Sequence, residues 1–133
     1  MSVEDRWFRF DNWSEIPRNL VRTADEVAAC IQNQIHPWGI CRRYNGSYSF
    51  ILKRKTRGKL APDLPKHPRL MVGFSSEIPQ AEDFGVRLGE TEVYLLGPPK
   101  KSFVMVAANH LNGTNEICRV MVDFLKHANE ISS

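Results

Sequence analysis

The chain has few cysteines: Cys30, Cys41 and Cys118 are odd in number and widely spaced, and no Cys-x-x-Cys occurs. That excludes a dense disulfide scaffold and the usual zinc-knuckle spacings. The expectation is three reduced, buried thiols acting as small hydrophobes in a cytosolic protein. Long apolar runs are also missing, and none approaches the ~20 residues of a membrane helix. The first ten residues, MSVEDRWFRF, carry two acids and no extended apolar core, unlike a signal peptide. No Walker A or GxGxxG pattern is present, so nothing marks a nucleotide cradle. Gly73-Phe-Ser75-Ser76-Glu77 lacks the final glycine of a nucleophile elbow.

Histidine supplies no metal set either. His36, His67, His110 and His127 form no HxH or HExxH pattern and no pairing with cysteine at ligand spacing. Neither a metal site, a cofactor nor catalytic residues are expected. Asn109-His110 after a strand, with Asn112 nearby, is the one polar cluster from which a small enzyme site could be built; turn and cap chemistry is the plainer reading.

What remains is a chain of 133 residues, 42% hydrophobic and 25% charged, which implies one domain, 1–133, with a single core. The most apolar stretch is Val93–Leu96 and Phe103–Ala108 around Gly97-Pro98-Pro99-Lys100-Lys101, a hairpin expected at the centre of a sheet. Trp38–Arg54 reads as a second hairpin about Asn45-Gly46. Its register places Cys41 opposite Phe50, Arg43 opposite Tyr48 and Ile40 opposite Ile51. Cys41, Tyr48, Phe50 and Leu52 then face the core. Leu70–Phe74 reads as a single strand, with one helical turn near Gln80–Phe84.

Two helices frame these strands. Thr23-Ala-Asp-Glu26 has the form of a capping box, starting a helix that ends at Ile35 before His36-Pro37. Thr114 is the expected cap of the last helix, whose stripe is Ile117, Val120, Met121, Phe124, Leu125, Ala128 and Ile131. The fold class expected is α+β: a two-layer sandwich, with an antiparallel sheet of about five strands and both long helices on one face. Phe103–Ala108 is apolar on both faces. The face away from the helices therefore needs a cover, either the aromatic N-terminus (Trp7, Phe8, Phe10, Trp13) or the second subunit of a homodimer, the latter preferred.

The functional clue is charge segregation. Residues 38–69 hold nine Lys/Arg and one acid, Asp63, a net +8; the rest holds nine basic and fourteen acidic residues, a net −5. Lys53–Arg69 is expected to be a solvated, proline-containing loop. Arg42, Arg43, Lys53, Arg54, Lys55, Arg57, Lys59, Lys66 and Arg69, with Tyr44 as the stacking aromatic, form the expected anion-binding surface. Arginines on phosphates and aromatics on bases suit a nucleic acid, above all a single strand. The expected function is a non-enzymatic binding or regulatory module for an anionic partner, nucleic acid first. An inhibitor- or immunity-type protein docking on an acidic protein surface is the alternative. The Lys53–Lys59 block also fits a nuclear import signal, if the source is eukaryotic.

Overall fold

A computed structural model describes residues 18–44, 47–63, 69–89, 91–96, 101–108 and 113–131. The elements are α1 (Arg18–Ile35), β1 (Ile40–Tyr44), β2 (Ser47–Leu52), β3 (Lys55–Asp63), β4 (Arg69–Ser75), α2 (Ala81–Gly85), β5 (Thr91–Leu96), β6 (Lys101–Ala108) and α3 (Thr114–Ile131). Among the described residues six strands form one antiparallel sheet in the order β1-β2-β3-β4-β6-β5. This is the expected α+β arrangement with one strand more than anticipated.

The extra strand is β3, drawn from the stretch expected to be a loop. Every residue from Gly58 to Asp63 pairs with β4. Pro62 is tolerated because the β2 pairing stops at Tyr48↔Leu60, so beyond Leu60 the β2 side of β3 is locally a sheet edge. A proline with no N–H to donate costs little there. The added strand also moves the centre of the sheet. β4 lies between β3 and β6, while the apolar hairpin β5–β6 is peripheral, with β5 outermost among the described strands.

The first hairpin has the expected register, with Ile40↔Ile51, Cys41↔Phe50 and Arg43↔Tyr48 paired. Its inward face is buried as the alternation requires: Tyr48, Phe50 and Leu52 are 6%, 0% and 1% exposed. They join Leu60, Leu70, Val72, Phe74, Val104, Val106 and Ala108 in one cluster with the apolar stripes of α1 and α3. On α3 the stripe Ile117, Val120, Met121, Phe124, Leu125 and Ala128 is buried, whereas Ile131 is exposed in the last turn.

Helix starts depart from the local signals. α1 begins at Arg18, so Thr23 lies within the helix and not at its N-cap. Leu20 and Ala24 are buried in the same stripe as Val27, Ile31 and Ile35, and that packing extends the helix upstream of the apparent box. At α3, the Gly113 carbonyl accepts from the Glu116 and Ile117 amides, placing the cap one residue before Thr114.

Ala61, Met71, Phe103 and Met105 stay outside the helix-side cluster and are nevertheless buried within the single chain. They occupy the second face of the sheet. Gly73 lies under them, and a Cβ there would sit 2.8 Å from the Met105 sulfur. The N-terminal aromatic segment proposed as cover lies outside the described residues.

Candidate anion-binding surface

Seven of the nine basic residues lie in β1, the β2–β3 turn and β3, and each has its own setting. Alternation in β1 puts Ile40 and Arg42 on the second face, opposite to Cys41 and Arg43. Across the sheet, Arg42 pairs with Ser49, Ser49 with Lys59 and Lys59 with Gly73. Arg42 and Lys59 therefore share one cross-strand row, two strands and about 10 Å apart. Arg42 is exposed, Lys59 half-buried, and the Lys59 ammonium lies 5.6 Å from the centre of the Phe103 ring. Such a cation–π contact holds the amine near the sheet surface.

Arg43 lies toward the helix side, its guanidinium 5.9 Å from the centre of the Tyr48 ring. The Tyr48 hydroxyl donates to the Asp25 carboxylate on α1, which accounts for a largely buried tyrosine. Tyr48 is thus part of the core and not available for stacking, as its register predicts. Tyr44 pairs with Ser47 at the far end of β1.

The tight turn between β2 and β3 contains Lys53 and Arg54, both with positive φ (50° and 69°). Lys53 Nζ donates to the Asn129 carbonyl at 3.4 Å. A cation is favoured near the carbonyl end of α3, so this lysine is already in use. Arg54 and Lys55 are exposed. Arg42, Arg54 and Lys55 have no hydrogen-bond or ion-pair partner among the described residues.

Arg57 differs from the expectation of a solvated loop. The register shifts between Phe50↔Gly58 and Ile51↔Thr56, leaving Arg57 as the extra residue of a bulge. It is only 8% exposed and its guanidinium lies 2.8 Å from the Glu77 carboxylate. It is a structural cation rather than a free contact for a ligand. Arg57→Ala is expected to cost about 1–2 kcal/mol in a urea titration, through lost packing and a lost charge-assisted bond. Arg54→Ala should stay within ~0.5 kcal/mol. Equal costs would contradict this assignment. Arg69 opens β4 opposite Asp63, and Lys66 lies outside the described residues.

Sequence reading missed the partners, Glu77 for Arg57 and Asp25 for Tyr48, because both are distant in the chain and no local pattern reports them. It also missed a covalent link. Cys30 on α1 and Cys118 on α3 form a disulfide with their Cα atoms 6.2 Å apart, in place of the reduced thiols expected. A helix–helix crossing brings together two positions 88 residues apart, which spacing alone could not indicate. Cys41 is the remaining thiol; burial pushes it up to about 11, so it is protonated at neutral pH and a poor nucleophile.

Other chemistry is sparse. Among the described residues, no group of three or more His, Cys, Asp or Glu is placed to hold a metal ion. An open recess of about 340 Å³ lies beside α2, lined in part by Ile78, Pro79, Glu82 and Asp83, and its acidic rim is opposite in sign to the β1–β3 surface. His127 Nε2 is 3.1 Å from the Pro79 carbonyl and its ring leans on Phe84. His110, proposed for an enzyme site, lies outside the described residues. No described helix is long and apolar enough to cross a membrane. Comparison with protein-family models, with curated proteins and with solved structures finds no match to this chain.

Proposed function

We propose that the protein is a non-enzymatic binding module that engages an anionic partner, nucleic acid first, through β1, the β2–β3 turn and β3. The observation that carries this reading is the set of three exposed cations, Arg42, Arg54 and Lys55, without a carboxylate partner among the described residues. Arg42 lies on the second face, Lys55 on the face of its partner Leu52 and Arg54 in the turn between β2 and β3. Unpaired cations around this corner of the sheet attract an extended polyanion, and phosphate contacts of this kind release counterions. Lys59 in the Arg42 row extends the same surface, and Tyr44, paired with Ser47 at the end of β1, is the aromatic assigned to stacking.

Replacing Arg42, Arg54 and Lys55 together by alanine is expected to reduce the slope of log affinity against log salt by about two to three, roughly one for each phosphate no longer neutralised. Tyr44→Ala should lower affinity by about 1–3 kcal/mol and leave the slope unchanged, as for a stacking contact. Fluorescence anisotropy with single- and double-stranded oligonucleotides measures both. Absence of binding at ~50 mM salt and micromolar protein would end the nucleic-acid reading, since phosphate contacts are strongest at low salt. The surface would then be assigned to an acidic protein partner.

The motive for a homodimer weakens, because the second face of the sheet is buried within one chain. Light scattering is expected to give a particle of 15.3 kDa. The cytosolic placement rested on reduced cysteines, and the Cys30–Cys118 pair removes that ground.

A further inference from the structure

We propose that the Cys30–Cys118 disulfide is a redox-sensitive staple that holds α1 against α3 and thereby controls the order of β1, the edge strand bearing Arg42 and Arg43. The regulatory part rests on the anion-binding reading above; the structural part does not. The two sulfurs differ in access. Cys118 is 1% exposed, while Cys30 is half-buried on the outer helix layer. The Gln34 amide lies 3.6 Å from the Cys30 sulfur and 3.5 Å from that of Cys118.

The link from the staple to the surface runs through Gln32, two residues beyond Cys30. The Cys41 amide donates to Gln32 Oε1 at 2.6 Å, and Gln32 Nε2 reaches the Gly39 carbonyl at 3.5 Å. The Gly39 amide in turn donates to the Ile35 carbonyl at 2.8 Å. Among the described residues β1 has a strand neighbour on one side only, and its outer edge is held by these bonds from α1. Loosening α1 removes them while leaving the β3–β4–β6 pairings in place.

The chemistry is thiol–disulfide exchange with a small thiol reductant of the dithiothreitol or glutathione class. A reductant thiolate attacks the more accessible sulfur, Cys30 Sγ. The S–S bond breaks, its electron pair stays on Cys118 Sγ, and that sulfur takes a proton. A second reductant thiol then resolves the mixed disulfide, leaving the Cys30 thiol and an oxidised reductant disulfide. The chain gains two electrons and two protons, and the reductant is oxidised by the same amount. Cys41 does not compete, because its buried thiol stays protonated.

Thiol counting and hydrogen exchange on the full chain test the proposal. Protein purified without reductant should show one free thiol on denaturation, and three after dithiothreitol. Reduction should speed exchange at Gly39–Tyr44 by about tenfold or more beyond the acceleration at 70–75 and 103–108, which follow only the global loss of stability, as expected for local opening. The Cys30→Ser, Cys118→Ser double variant should exchange fast at Gly39–Tyr44 with or without dithiothreitol. If it does not fold, the wild-type comparison still decides. Three free thiols at the outset, unchanged β1 exchange after full reduction, or uniform acceleration of the whole chain would each overturn the staple. A parallel anisotropy titration with an oligothymidylate probe separates the two readings. Altered β1 exchange with no oligonucleotide binding in either redox state retains the staple and rejects the nucleic-acid partner. Binding of equal strength in both states, with β1 loosened, rejects the regulatory role alone.

Discussion

Replacing Phe124 by alanine is expected to lower the unfolding free energy by about 3–5 kcal/mol, the usual cost of a large buried side chain removed from a packed core. Phe124 is fully buried in the middle of α3. Its ring meets Phe74 of β4 edge-on, centroids 5.0 Å apart at 82°, and Phe84 of α2 at 5.4 Å and 75°. One side chain therefore ties α3 to the central strand and to the short helix. Neither ring can follow the vacated volume easily: Phe74 is fixed by pairing on both sides of β4, and Phe84 also packs against His127 and Arg87. Phe124→Leu should recover part of the loss, because most of the volume returns without the edge-to-face geometry. Urea titration followed by tryptophan fluorescence measures both. A near-neutral Phe124→Ala would mean that α3 does not lie on the core.

Replacing Cys30 and Cys118 together by alanine should cost a comparable amount. A cross-link between positions 88 apart removes about 4–5 kcal/mol of loop-closure entropy from the unfolded chain. The figure follows from the length of chain enclosed; the void left by the fully buried Cys118 sulfur adds to it. Denaturant titrations of the oxidised wild type, the reduced wild type and the double variant separate these effects. The reduced protein and the double variant should have similar midpoints, both well below the oxidised form. A loss under about 1 kcal/mol would show that the two cysteines are not linked in solution or that the unfolded chain is already constrained.

The α3 stripe and the β1–β2 hairpin were readable because each is a local periodicity agreeing with a local stop or turn. Ile117 to Ala128 recur at helical spacing, and Asn45-Gly46 sets a two-residue connection that dictates every pair from Ile40↔Ile51 to Tyr44↔Ser47. The α1 capping box was a genuine local pattern that lost to packing. Burying Leu20 and Ala24 outweighs the ~1 kcal/mol a cap offers at Thr23. The basic surface was legible only as charge. Nine cations stand out in the sequence, yet which of them stay free depends on partners far along the chain. Glu77 takes Arg57 and the Asn129 carbonyl takes Lys53, while Arg42, Arg54 and Lys55 remain unpaired among the described residues.

By itself the sequence determined the α+β class, the two long helices, the inward face of the first hairpin and the concentration of positive charge between residues 38 and 69. These depend on period, turn chemistry and composition, which act over a few residues. Tertiary structure alone decided that the proline-containing basic segment becomes β3. Its alternation is weak, and a strand forms there only because β2 and β4 offer pairing on either side up to Leu60 and β4 alone beyond it. The same holds for the place of β4 at the centre, the bulge that buries Arg57 and the meeting of Cys30 with Cys118. Each is a pairing across a large separation, whose energy comes from contacts that exist only once the sheet and the helix layer have come together.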